Sequence, residues 1–457
     1  MAHRTLALLL LFCTLAVVKA CGLGAQSFWI DEGHTWHDAM AGDLLHPQGT
    51  TPLWTAVEAA ALRTGPGWPA ELALRLPALI CGLAALAILT FACPLPTPAA
   101  RRTVLLLAGT HPLLYWHDQD ARMYSLLFLC ATLLVTAVLR LTAGRPRGML
   151  PLAFVAAVAG CYTHPYMLVL AGSAVLWFWF RPDLLTRQRL VLTVLTGVLA
   201  LLPLGVAYGA TVVRYGTAGV AGAPVQRLPD VLLALLQALF GATTFSRQHL
   251  PLFTLIGLPV ALFAAGCLFW RGLLVPQHRF LLMLSLFPAA VTLLAGTLGF
   301  VAVLPRYFII ALPALLLLCA GAAPHPATRI ALLITLIFNG IGIWHYRTDP
   351  RFGKEDWRTL AATAGDAVSR GVTVGMPGEP PHVFRYYAGT LPVITVGDPA
   401  VWLTTTPAGD RLLLLYHGFR RYAEPWRSDP RFAVSDVSRF VLVRRAKPLD
   451  AVPANNL

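Results

Sequence analysis

Long apolar stretches, separated by short polar breaks, fill the first three quarters of this chain. Eleven such stretches cover about 5–23, 72–92, 101–117, 121–141, 148–163, 165–180, 187–209, 250–270, 278–298, 304–322 and 328–345. A helix crossing a bilayer needs about 20 apolar residues, with roughly 17–25 tolerated. The pattern therefore predicts about eleven transmembrane helices, and the third, fifth and sixth are short enough to be tilted or broken. After residue 345 the pattern changes. Short β-type runs (Val372–Met376, Val393–Val396, Arg411–Tyr416, Arg439–Val443) alternate with Pro/Gly turns. A helix starting near Asp356 places Trp357, Leu360, Ala361, Ala364 and Val368 on one face. The expected architecture is an α-helical polytopic membrane domain over 1–345, with a long first outer loop at 24–71. A small extracytoplasmic α/β domain follows over 346–457.

Composition agrees with this reading. Of 457 residues, 57% are hydrophobic and 12% charged, with a mean hydropathy of +0.66. Soluble proteins carry roughly 25% charged residues; a water-soluble enzyme or a disordered chain is excluded. The formal net charge of +14 does not indicate nucleic acid, because the arginines sit in short clusters between apolar runs rather than along one face. Their distribution gives orientation instead. Arg101 and Arg102, then Arg140, Arg145 and Arg147, then Arg181, Arg187 and Arg189, and later Arg271, Arg279 and Arg329 fall in alternate connections. The opposite connections hold Asp31, Glu32, Asp38, Asp43, Glu58, Glu71, Asp118, Asp120 and Asp230. The positive-inside rule then places the N-terminus in the cytoplasm and residues 346–457 outside. This parity treats 229–246 as a helix lying at the outer interface rather than a twelfth span. The first stretch resembles a signal peptide with Cys21 after its end, but Lys19 fits a lipoprotein site poorly, so an uncleaved first span is expected. The eight cysteines form no CxxC pair and lie in or beside apolar runs, which is neither a disulfide framework nor a zinc site.

Charges at helix ends on the outer side are the places to look for chemistry. The first outer loop opens with Ser27-Phe28-Trp29-Ile30-Asp31-Glu32. Two adjacent carboxylates there can orient or deprotonate a hydroxyl, and adjacency disfavours ionising both. A second cluster, His111 to Tyr124, puts Arg122 at the mouth of an apolar helix with Asp118 and Asp120 just before it. A guanidinium suits phosphate because its planar fork donates several hydrogen bonds and stays charged; a snorkelling arginine in an aromatic belt is the plainer alternative. Arg75, His164 and Arg306 are further boundary residues. His34 and Asp38 stand i,i+4 with His37 beside them, a weak pattern for a divalent metal.

In combination these residues resemble a known family. Trp29-x-Asp31-Glu32 opens a long first loop, Arg75-Leu76-Pro77 starts the second span, and Gln119-Asp120-Ala121-Arg122-Met123-Tyr124 starts the fourth. Thr163-His164, Arg306-Tyr307 and Lys354-Glu355-Asp356-Trp357-Arg358 follow in order. Together they resemble the GT-C membrane glycosyltransferases. The likeness is to the bacterial, glycosyltransferase family 39-like branch, related to protein O-mannosyltransferases and the aminoarabinose lipid A transferase, over about residues 5–360. The resemblance implies transfer of a sugar from a polyprenyl-phosphate carrier to an outer-face acceptor (protein, lipid or glycan), with inversion. By position, Asp31 is similar to the family's acceptor-side acid, with Glu32 beside it. Arg122 resembles the residue meeting the lipid-linked phosphate, with Asp120 orienting it or contacting the sugar; Arg306 and His164 resemble donor-site residues. The chain departs from the family at Thr50-Thr51-Pro52-Leu53-Trp54, where relatives often have a His/Asn-Pro-Pro-Leu stretch, and at Asp120, where Glu is commoner. No nucleotide is needed, no cofactor is certain, and a divalent metal remains open. Two other classes stay open at this point: a multi-span transporter or flippase of a lipid-linked or anionic substrate, and a membrane-anchored binding protein.

Overall fold

The computed structural model describes residues 2–42, 51–65, 67–144, 148–215, 228–240, 255–256, 258–274, 276–298, 303–322, 326–349, 353–405, 410–437 and 439–445. The chain divides into two compact units, one of Met1–Leu23 with Ala41–Thr348, the other of Gly24–Met40 with Asp349–Leu457.

The first unit is helical. Its elements are α1 (Ala2–Ala20), α3 (Pro52–Thr64), α4 (Ala70–Ala87, continued as a π-helix over Ile88–Ala92), α5 (Pro98–Thr110), α6 (Pro112–Asp118), α7 (Tyr124–Thr142), α8 (Met149–Thr163) and α9 (Met167–Trp179). They continue with α10 (Arg187–Tyr215), α11 (Leu228–Phe240), α12 (Leu258–Leu274), α13 (Pro276–Thr297), α14 (Leu312–Ala322) and α15 (Pro326–Thr348). Each of the eleven apolar stretches coincides with helix, although residues 250–254 and 257 of the eighth lie outside the described residues. Of the interfacial stretch 229–246, residues 229–240 belong to α11 and 241–246 lie outside the described residues.

Two of the stretches are not single α-helices. The third breaks after Thr110, where His111 is extended (φ −64°, ψ 119°), because the ring of Pro112 disfavours helical backbone in the residue before it. The tenth begins as a 3-10 helix over Pro305–Ile310 and becomes α-helical only at Leu312. Among the described residues, five helices are long and apolar enough to cross a membrane: Ala70–Ala92, Tyr124–Thr142, Arg187–Val206, Arg279–Thr297 and Arg329–Thr348.

Side-chain burial marks the unit as a membrane protein. Val104, Leu105, Leu127, Phe128, Leu134 and Val135 form part of one apolar core. Yet Ile330, Leu333, Ile337 and Trp344 of α15, and Leu192, Leu195, Leu199 and Leu202 of α10, face outward, with exposures from 53% to 70%. Their helical spacing makes continuous apolar stripes, which water would reject and lipid tails accept. The chain is a multi-pass membrane protein of predominantly helical fold.

The second unit contains α2 (Ile30–Ala41, all but its last residue), α16 (Trp357–Ser369), α17 (His382–Ala388), α18 (Pro399–Thr405) and a five-stranded sheet. The strands are β1 (Thr373–Pro377), β2 (Val393–Val396), β3 (Arg411–Leu415), β4 (Phe432–Val437) and β5 (Phe440–Arg445), in the order β2-β1-β3-β5-β4. β1 runs parallel to β2 and β3, and β5 antiparallel to β3 and β4. The helix expected from Asp356 is present, and the Asp356 carboxylate caps it by accepting the Thr359 N–H at 3.1 Å. Trp357 is fully buried, edge-on to Phe440 (4.7 Å) and Tyr416 (5.5 Å), which fixes α16 against the sheet. Gly33 lets α2 close on α17: a Cβ there would lie 2.5 Å from that of Val383.

Candidate active site

The sequence points to two groups of residues, and each lies within one unit. In the second unit, Asp31 and Glu32 form the first turn of α2. Their surroundings separate them. Glu32 is fully buried and its Oε1 meets Lys354 Nζ at 2.7 Å, while Oε2 accepts the Trp29 N–H at 3.2 Å. Asp31 is half-buried. Lys354 thus gives Glu32 a charged partner within the same unit. Lys354 is itself held in place: its N–H donates to Gln26 Oε1 (3.1 Å), Ser27 Oγ donates to the Glu355 carbonyl, and the Trp357 N–H donates back to Ser27 Oγ (3.1 Å).

His34 and Asp38 lie one turn apart on α2, as their spacing implies. The ring of His37 stacks on His382 at 3.8 Å, His34 meets the same ring edge-on at 5.4 Å, and His37 Nδ1 lies 3.7 Å from Asp38. Burial, together with the charges of His37, His34 and Arg385, holds His382 below the usual histidine value, against the pull of Asp38. Among the described residues no group of three His, Cys, Asp or Glu side chains is arranged to hold a metal ion, so His34 and Asp38 gain no third ligand there.

In the first unit, the turn 119–123 between α6 and α7 carries Asp120 and Arg122, and both are buried. Several elements fix this turn. Lys19 Nζ donates to Asp118 Oδ2 at 2.5 Å, and Ser125 Oγ donates to Asp118 Oδ1 at 2.8 Å. Gly82 makes room for that carboxylate, since a Cβ would lie 1.9 Å from Oδ1. Gln119 Nε2 donates to the carbonyls of Lys19 (2.8 Å) and Cys21 (2.9 Å) and to Tyr115 Oη (3.0 Å). The fully buried Trp54 donates its indole N–H to the Ala121 carbonyl at 3.4 Å. The Lys19 that disturbed the lipoprotein pattern is thus a buried partner of Asp118. Trp54, at the point where the chain departs from its resembled family, braces the peptide between Asp120 and Arg122. Arg75, a boundary candidate, is 1% exposed and donates from Nη1 to the Leu23 carbonyl at 3.1 Å.

Around this turn the four expected donor-site residues come together. His117 Nδ1 lies 3.4 Å from Asp120 Oδ2, and its ring is 4.5 Å from Tyr124. Arg306 lies over Tyr124 (5.5 Å) and Tyr307 (5.9 Å). His164 is flanked by Tyr124, Tyr166 and Tyr307 at 5.2–5.9 Å, and Tyr166 stacks on Tyr307 at 4.6 Å. Arg122 and Arg306 both lie within electrostatic reach of His164. Two guanidiniums, two imidazoles and three phenols make up the cluster, which reaches Asp120 through His117. Such a cluster can bind a phosphate through charge-assisted hydrogen bonds and present aromatic faces to a sugar ring. No role for His117, Tyr166 or Tyr307 was legible in the sequence, although Tyr307 stands in the Arg306-Tyr307 pair and the other two lie within three residues of a candidate.

Solved structures resemble this arrangement of elements along almost the whole chain. ArnT from Cupriavidus metallidurans in the apo state superposes with a TM-score of 0.61 at 11% sequence identity, covering 97% of this chain and 98% of that one. The crystal structure of ArnT from the same organism bound to undecaprenyl phosphate gives 0.59 at 13% identity with the same coverage. The fold is that of ArnT. No protein-family model matches the sequence, and no curated protein does either. The likeness to ArnT is therefore one of three-dimensional fold.

Proposed function

We propose that this protein is a plasma-membrane glycosyltransferase that moves a sugar from a polyprenyl-phosphate carrier to an acceptor hydroxyl on the extracytoplasmic face. The observation that carries this reading is the convergence of Arg122 and Arg306 on His164, in a chain with the fold of ArnT, a protein crystallised with undecaprenyl phosphate. The reaction is an inverting single displacement. As the bond to the anomeric carbon breaks, negative charge grows on the phosphate oxygen. Arg122 and Arg306, fixed by their surroundings in a dry site, stabilise that charge most in the transition state. Asp120 is held beside His117 and contacts the sugar or orients Arg122; the tyrosines offer it stacking surfaces. Asp31 takes the proton of the attacking hydroxyl, while Glu32 keeps α2 in place through Lys354. The N-terminus is cytoplasmic and residues 346–457 are outside. The acceptor is a protein, lipid or glycan hydroxyl, and the sugar a hexose or pentose.

The test is transfer from radiolabelled undecaprenyl-phosphate sugars in membranes containing equal amounts of each variant. Asp31→Asn is expected to lower turnover by roughly 10²–10⁴-fold, the typical contribution of a general base. Arg122→Ala and Arg306→Ala should depress use of the donor far more than Arg189→Ala, a surface control. Unchanged transfer in Asp31→Asn removes it as the base. Equal effects of the three arginine changes remove the phosphate site.

A further inference from the structure

A second basic feature lies at the other end of the helices that frame the site. A groove of about 600 Å³ runs between α5 and α15, with Arg102, Arg329 and Thr103 at one end and Leu106, Leu333 and Leu336 along its wall. Among the described residues its lining contains no carboxylate, and neither α5 nor α15 has an acidic residue anywhere along its length. Arg347, near the far end of α15, donates from Nε to Tyr115 Oη, beside the turn that carries Asp120 and Arg122. Eighteen residues of helix separate Arg329 from Arg347, or roughly 27 Å at 1.5 Å per residue. The groove and the candidate site therefore face opposite leaflets.

Two neighbouring arginines, Arg101 and Arg140, hold backbone carbonyls. Arg101 donates to the carbonyls of Thr90 (2.9 Å) and Phe91 (3.2 Å), and Arg140 donates to that of Ala92 (2.7 Å), so the two close the open end of the π-helix. Arg102 and Arg329 are both exposed and line the groove. Guanidiniums above an apolar wall match an amphiphile with an anionic head and a hydrocarbon tail. A free inorganic anion has no use for the leucines, and a neutral lipid none for the paired arginines. Basic pockets between membrane helices at the cytoplasmic surface recognise phosphorylated head groups in this way.

We propose that this groove is a binding site for an anionic phospholipid of the arginine-rich, cytoplasmic leaflet. Its phosphate sits between Arg102 and Arg329, and one acyl chain lies along Leu106, Leu333 and Leu336. The site is distinct from the donor site and does not depend on the proposed reaction.

Native mass spectrometry of the full-length protein, titrated with dioleoyl phosphatidylglycerol or dioleoyl phosphatidylcholine, tests it. Two arginines at about 1 kcal/mol each predict a preference of roughly thirtyfold for the first phosphatidylglycerol bound. The preference should fall to about twofold or less in Arg102→Gln/Arg329→Gln and persist in Arg189→Gln. Leu333→Trp, at a position already facing outward, keeps both arginines but fills the groove, and should also lose phosphatidylglycerol while the protein stays monodisperse. Equal retention of the two lipids overturns the proposal. So does an undiminished preference in the double variant or in Leu333→Trp, or displacement of the lipid by inorganic phosphate at equal concentration.

Discussion

The ion pair between Glu32 and Lys354 separates a scaffolding role from a chemical one. Both side chains are almost wholly buried, at 0% and 1% exposure, with their atoms 2.7 Å apart. Removing one partner strands the other charge in a dry environment, at a cost of about 3–5 kcal/mol, whereas replacing both with neutral groups is often close to neutral. Lys354→Met and Glu32→Gln should therefore each destabilise the packing of α2 on 353–358. The double variant should return to within about 1 kcal/mol of the parent, helped by the glutamine, which can still accept the Trp29 N–H. Amide hydrogen exchange reads this directly. At 1.36 kcal/mol per tenfold, exchange in peptides covering 30–41 and 354–358 should speed up by roughly 10²–10⁴-fold in each single variant and recover in the double. Sugar transfer should follow the same pattern, because Glu32 acts through its hold on the helix bearing Asp31. Exchange restored in the double variant without restored transfer would give Glu32 a chemical role. Exchange unchanged in the single variants would refute the argument from burial.

Trp54 offers another test, since it both fills space and holds the Ala121 carbonyl. Trp54→Phe should cost about 1 kcal/mol for the lost hydrogen bond and Trp54→Ala about 3–5 kcal/mol, measured as thermal unfolding in detergent; no loss in Trp54→Phe would show that the indole N–H contributes nothing. His382 gives the second unit an acid sensitivity. Its value is lowered on folding, so the folded unit binds fewer protons than the unfolded one. The contribution is fully present above the unfolded value of about 6.5 and is lost as pH falls through the lower folded value. Emission from Trp36, which packs on Tyr386 of the same helix as His382, should change in that range, and His382→Gln should flatten the response.

The membrane helices were legible because a bilayer leaves the backbone few choices. Every apolar stretch became helix, and Pro112 and Pro305 mark where the third and tenth depart from one regular rod. The edge strand Phe432–Val437 escaped notice because its sequence, FAVSDV, mixes Ser and Asp into a strand that is mostly exposed or half-exposed, so no apolar run announces it. The candidate cluster was partly readable since Asp120, Arg122 and Tyr124 lie within five residues of one another, and His164 and Arg306 stood out as polar residues at apolar boundaries. The contacts that define Glu32 and His37 were not readable. Lys354 lies 322 residues from Glu32 and His382 is equally remote from α2, and no local periodicity links such positions.

The end of α1 has a bearing on how the chain is made. Its last carbonyls, at Val18, Lys19 and Cys21, receive donors from Gln119 and from Arg347. α1 is finished by a side chain from α15, 329 residues further along the chain. Until residue 347 is made, the Val18 carbonyl lacks the Arg347 donor, while Gln119 can already reach those of Lys19 and Cys21; a chain cut short before α15 therefore leaves the end of α1 without that contact.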